Sequence, residues 1–220
     1  VYSEDDLDLE GSGSVRILGY INNGVTCKDD LTVQGGNVTV VAANNGLRAS
    51  ESVQFEDGNV TVTAQNDGIK TTSSKKDGKG YISFLGGAAT VSARGDAVSA
   101  ETQFRMMGGT LTLTTEGDPE QNSCKGIKAN FEVVISGGNI FANTADHCIK
   151  SDGALAVQGG VLELASTDGK GLSAEAQILV ETKFMEVSLN DIEELGFQYQ
   201  VSRQASNTTN AEPTSRKFIS

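Results

Sequence analysis

Residues 32–62 read TVQGGNVTVVAANNGLRASESVQFEDGNVTV, and the same pattern returns at 136–160 as SGGNIFANTADHCIKSDGALAVQGG. Both stretches alternate three units: a glycine turn leading into a strand (GGNVTV, GGNIFA), a polar turn leading into an apolar anchor (NNGL, DHCI), and a second short strand (VQF, LAV). Working outward, the anchors are Val25, Leu47, Ile69, Val98, Ile127, Ile149 and Leu172, spaced by 22, 22, 29, 29, 22 and 23 residues. The second glycines of the glycine turns, Gly36, Gly58, Gly87, Gly109, Gly138 and Gly160, follow the same rhythm. Insertions near 73–79 and at 117–123 account for the long intervals, and the register returns unchanged after each.

A fixed period of this length marks a solenoid. Three short alternating strands per repeat predict an all-β, right-handed parallel β-helix of about seven rungs, each rising about 4.8 Å. Leucine-rich repeats need LxxLxL and calcium-binding rolls need GGxGxDxUx, and neither recurs. The solenoid is expected over 15–182, after an N-terminal segment or cap at 1–14. Residues 183–202, with Phe184, Phe197 and Tyr199, break the period and are expected to cap the open end. Residues 203–220 read as a polar tail.

Twenty-six glycines against two prolines suit many tight turns, and an aromatic content of 5% suits a thin interior. The net charge of −12 argues against nucleic acid, which needs a basic footprint. No apolar run approaches a membrane span, and nothing in the sequence speaks to oligomeric state. Cys27, Cys124 and Cys148 form no CxxC pair. Cys27 reads as a buried thiol. Cys124 and Cys148 fall on neighbouring rungs, where a disulfide is geometrically allowed.

In a solenoid, equivalent positions form columns. The residue before each anchor reads Gly24, Gly46, Gly68, Ala97, Gly126, Cys148 and Gly171, so a sharp turn with positive φ is expected, altered at Ala97 and Cys148. One position earlier come Asn23, Asn45, Asp67, Asp96, Lys125, His147 and Lys170. The asparagines predict an amide ladder. Asp67 and Asp96, on adjacent rungs, repel unless a cation or proton intervenes, which makes calcium the candidate ligand. The alternative is neutralisation by Lys125 and outward rotamers. His147 reads as a turn residue. Just after the anchors, Arg48, Lys70, Lys128 and Lys150 form a basic stripe beside Glu101, Asp152 and Glu175. The stripe reads either as exposed ion pairs or as a face for an extended anionic polymer.

The stretches quoted above resemble the bacterial carbohydrate-binding domain-containing β-helix family (Cthe-type, of pectate-lyase-like architecture), over roughly residues 15–182. The resemblance implies a secreted or cell-surface calcium-binding β-helix that binds polysaccharide. Its acidic turn positions correspond to Asp67 and Asp96, and more loosely to Asp146 and Asp152. NNG at the first two rungs, CKG at Lys125 and GKG at Lys170 depart from the expected double-aspartate turns.

The expected function is therefore non-catalytic, extracellular, calcium-assisted polysaccharide binding that favours acidic glycans. The absence of Trp disfavours stacking on neutral sugars. A polysaccharide lyase with Lys70 as base is an alternative, as is a surface spacer or adhesin module without a ligand.

Overall fold

The computed structural model describes residues 1–74 and 78–181, within one compact unit, Val1–Thr182. The cap expected at 183–202 and the tail at 203–220 lie outside the described residues. Every described strand belongs to one of three parallel sheets. Sheet A stacks Tyr2–Ser3, Val25–Cys27, Leu47–Ala49, Ile69–Thr71, Val98–Ala100, Ile127–Ala129, Ile149–Ser151 and Leu172–Ala174. Sheet B stacks Leu7–Leu9, Asp30–Val33, Ser52–Phe55, Tyr81–Phe84, Gln103–Met106, Glu132–Ile135, Ala154–Val157 and Ile178–Val180. Sheet C stacks Ser14–Gly19, Asn37–Ala42, Asn59–Ala64, Ala88–Ala93, Thr110–Thr115, Asn139–Thr144 and Val161–Ser166. The chain visits A, B and C in turn, so this is a three-faced parallel β-helix.

The anchors and their partners two residues on face inward, while the residue between faces out. Inside, Phe55 stacks on Phe84 at 4.2 Å between ring centroids, and Phe104 tilts against Phe84 at 6.0 Å. Among the described residues, the fully buried aromatics thus lie in the middle rungs. Both insertions leave the stack intact: Ile69 still pairs with Val98, and Val98 with Ile127.

Two expectations change. Residues 1–14, expected to precede the solenoid, already run in its register, with Tyr2 paired to Thr26 and Leu7 to Leu31. Leu7 and Leu9 pack against the core from alternating positions, and the turn that follows, EGSGSV, is a glycine turn one residue longer than the GG and DG turns of the other rungs, so the segment supplies a first rung. The positive φ expected at Gly24, Gly46 and Gly68 occurs instead at the second glycine of each GG or DG turn, from Gly36 to Gly160, at +72° to +91°. Gly24, Gly46 and Gly68 are required for space. A Cβ on any of them would lie 2.2 Å from a γ-methyl of Val40, Val62 or Val91. At Ala97 and Cys148 the rungs carry Leu113 and Leu164 at the valine position. Leucine is unbranched at Cβ, which leaves room for a side chain opposite.

Candidate functional site

The corner from sheet C to sheet A is held by a ladder of side chains. Asn23 Oδ1 accepts the Asn45 N–H at 3.1 Å, Asn45 Oδ1 that of Asp67 at 3.2 Å, Asp67 Oδ1 that of Asp96 at 2.9 Å, and Asp96 Oδ1 that of Lys125 at 2.9 Å. Each rung's side chain thus satisfies the next rung's backbone, which has no strand partner at a turn. A second ladder runs beside it, from Asn66 Nδ2 to Asn44 Oδ1 at 3.2 Å and from Asn44 Nδ2 to Asn22 Oδ1 at 3.0 Å. The repeated NN and ND pairs carry the signal for this second ladder.

The aspartates continue the first ladder. Asp67, 6% exposed, keeps one oxygen for the backbone and accepts Lys70 Nζ on the other at 2.6 Å. Asp96, 3% exposed, accepts the Ser123 hydroxyl at 2.5 Å from the second insertion as well as the Lys125 N–H. Burial pushes the Asp96 carboxyl above its ordinary range, Ser123 and the Lys125 N–H pull it back, and the Asp67 charge adds to the rise. Both oxygens of Asp67 and Oδ1 of Asp96 thus already accept from an ammonium, a hydroxyl or N–H groups. Asp146 is drawn elsewhere, to Lys125 Nζ at 2.7 Å and to the neighbouring His147 ring. Burial raises its carboxyl, but Lys125 and His147 outweigh that and hold it at about 2. Asp152 lies on the A-to-B side and meets Lys150 at 3.3 Å. The four aspartates therefore form no single centre. Among the described residues, the carboxylates that do converge are Asp5, Asp6 and Asp29, with one oxygen of each within 4.8 Å of the others. They fall on the first two rungs, where the sequence carries no repeat signal for them.

The basic stripe is real as a column. Tyr2, Thr26, Arg48, Lys70, Ser99, Lys128, Lys150 and Ser173 pair in register on the outward side of sheet A. Its cations divide into two kinds. Lys70 is held by Asp67, and Lys150 lies between Asp152 and Glu175 at 3.3 and 3.2 Å. Arg48 and Lys128 are half-buried and, among the described residues, have no carboxylate within ion-pair distance. Tyr2, 58% exposed, heads the column and bonds Glu4 through its hydroxyl. The outward column of sheet C is different: Arg16, Thr39, Thr61, Thr90, Thr112, Phe141 and Glu163 stack in register, with no charge between the two ends.

The cysteines are free and buried, and burial pushes each thiol up. Cys124 Sγ approaches Arg94 O at 3.3 Å and Cys148 Sγ approaches Ala165 O at 3.1 Å, so no disulfide links them. Lys70, the candidate lyase base, has its ammonium engaged by Asp67. Among the described residues no helix is long and apolar enough to cross a membrane.

Residues 1–191 match the model of a family described as carbohydrate-binding domain-containing protein. A protein of that description from Acetivibrio thermocellus is 40% identical over 42 residues, which is 19% of this chain and 15% of that protein. A solved structure described as the polysaccharide lyase-like protein from C. thermocellum, a gadolinium derivative, is 26% identical with a TM-score of 0.48. That match covers 82% of this chain and 52% of the other. The present chain thus spans well under two thirds of either protein.

Proposed function

This chain belongs to the carbohydrate-binding domain-containing family, and from that premise we propose that the outward face of sheet A binds an acidic polysaccharide lying along the stack. The observation that carries the reading is a pair of cations on one column, Arg48 and Lys128, that have no carboxylate partner among the described residues. A cation without a carboxylate partner, on a protein of net charge −12, is free to meet an anion of the ligand. Tyr2 adds an exposed ring at the head of the same column, where a sugar face can stack. Lys70 and Lys150 are tied to their own carboxylates, which cancel their charge toward a ligand. The setting that goes with this reading is outside the cell, where such polymers are met.

The proposal does not draw on calcium at Asp67 and Asp96, whose carboxylates already accept from Lys70, Ser123 and ladder N–H groups. The test is retardation of the protein in gels containing polygalacturonate or a neutral glucan, with and without a chelator. Retardation by polygalacturonate that survives chelation and fades with added salt is expected. Equal retardation by the neutral glucan, or none by either, would overturn the reading.

A further inference from the structure

The sheet A cations that are unpaired among the described residues are not neighbours. Arg48, Lys70, Ser99 and Lys128 occupy four successive rungs, with Lys70 held by Asp67 and an uncharged serine at the third. Strand stacking places Arg48 and Lys128 roughly 14 Å apart, measured by their backbones along the stack. An extended chain of pyranose sugars advances by about one rung height per residue, so a chain lying along the column meets one rung with each sugar. We propose that sheet A measures charge spacing: Arg48 and Lys128 hold two anionic groups of the same glycan chain that are three sugars apart, and four consecutive uronate residues are the shortest ligand able to engage both.

This inference rests on the acidic-polysaccharide reading and adds to it a length and an alignment. The physical consequence is a step. A shorter chain engages one cation or the other, whereas a chain of four makes its second contact intramolecularly, at a high effective concentration. The rungs are rigid in spacing because each is hydrogen-bonded to the next through three sheets. The ligand must therefore match the protein, and the protein does not adjust to the ligand.

The test is titration of the whole chain with galacturonate oligomers of two to six residues by calorimetry, with polygalacturonate as the reference ligand. Affinity is expected to rise roughly tenfold or more between three and four residues and to change little from four to six. In Arg48→Ala, and separately in Lys128→Ala, the step is expected to vanish while weak binding of all lengths remains. Both side chains project from the outside of the sheet, so the fold does not depend on them. A gradual rise with each added residue, or a step that survives either variant, would overturn the spacing inference while leaving the polysaccharide reading standing. No binding of oligomers or polymer would overturn both.

Discussion

Arg48 and Lys70 stand one above the other on sheet A, a single rung apart, yet only Lys70 is tied down. The difference lies three residues earlier, at the corner. Asn45 is fully engaged within the ladder: its oxygen accepts from Asp67 N and Asn66 Nδ2, and its amide group donates to Asn23. Asp67 in the same position has a second oxygen and a charge, and both go to Lys70. The corner thus decides which cations of the neighbouring face are available. At the fourth of these rungs the corner residue is Lys125, itself a cation, and Lys128 has no anion within ion-pair distance among the described residues.

This comparison can be broken at either rung. The largest effect is expected from Asn45→Asp, which removes a donor to Asn23, sets a charge beside buried Asp67 and offers Arg48 a partner. Stability should fall by about 1–3 kcal/mol in denaturant titrations, and polygalacturonate binding should weaken with it. Asp96→Ala should cost a similar amount, about 1–3 kcal/mol, because the Lys125 N–H and Ser123 hydroxyl lose their acceptor. Asp96→Asn should be nearly neutral at pH 7, since it keeps an oxygen in the ladder and removes a buried charge. Equal losses for the two variants at Asp96 would contradict the ladder. Asp67→Asn extends the asparagine end by one rung and releases Lys70. Binding to polygalacturonate should strengthen by about 0.5–1 kcal/mol, the worth of one exposed ion pair.

Acid gives a further contrast. The Asp146 carboxyl is held at about 2, below its ordinary 3.8, so its stabilisation is present above about pH 4 and lost as pH falls from there toward 2. Asp96 is raised, so its ionisation opposes folding at neutral pH, and that cost is relieved as pH falls through its folded value. Replacing Lys125 with methionine should move the acid-unfolding midpoint upward, toward the ordinary carboxylate range. The smallest effect is expected at Glu175→Gln, where the exposed pair with Lys150 is worth about 0–1 kcal/mol and Asp152 remains. An unchanged melting temperature is the expected result.

The repeat was legible because each rung writes out the same pattern and parallel stacking keeps equivalent residues in line. The first rung was less legible, because its glycine turn, EGSGSV, holds one residue more than the GG and DG turns of the others and so breaks the fixed spacing. Glycine was read correctly as a constraint at two columns and for the wrong reason at one. Positive φ at Gly36 and a missing Cβ opposite Val40 at Gly24 call for the same residue. The basic stripe followed from spacing alone, but which cations are free depends on side chains reaching across the corner, from Lys70 to Asp67 and from Lys125 to Asp146. The ladder itself, in which Asp67 and Asp96 accept backbone N–H groups of the next rung, also depends on side-chain reach that spacing does not give.

The most direct measurement compares two double variants of equal net charge in the polygalacturonate gel. Arg48→Ala with Lys128→Ala removes two cations from sheet A, and Thr61→Glu with Thr112→Glu adds two carboxylates to the uncharged column of sheet C, so each takes the net charge from −12 to −14. The sheet A variant should lose retardation at least tenfold, and the sheet C variant should keep it close to the parent value. Equal losses in both would mean that overall charge, and not the column on sheet A, governs binding.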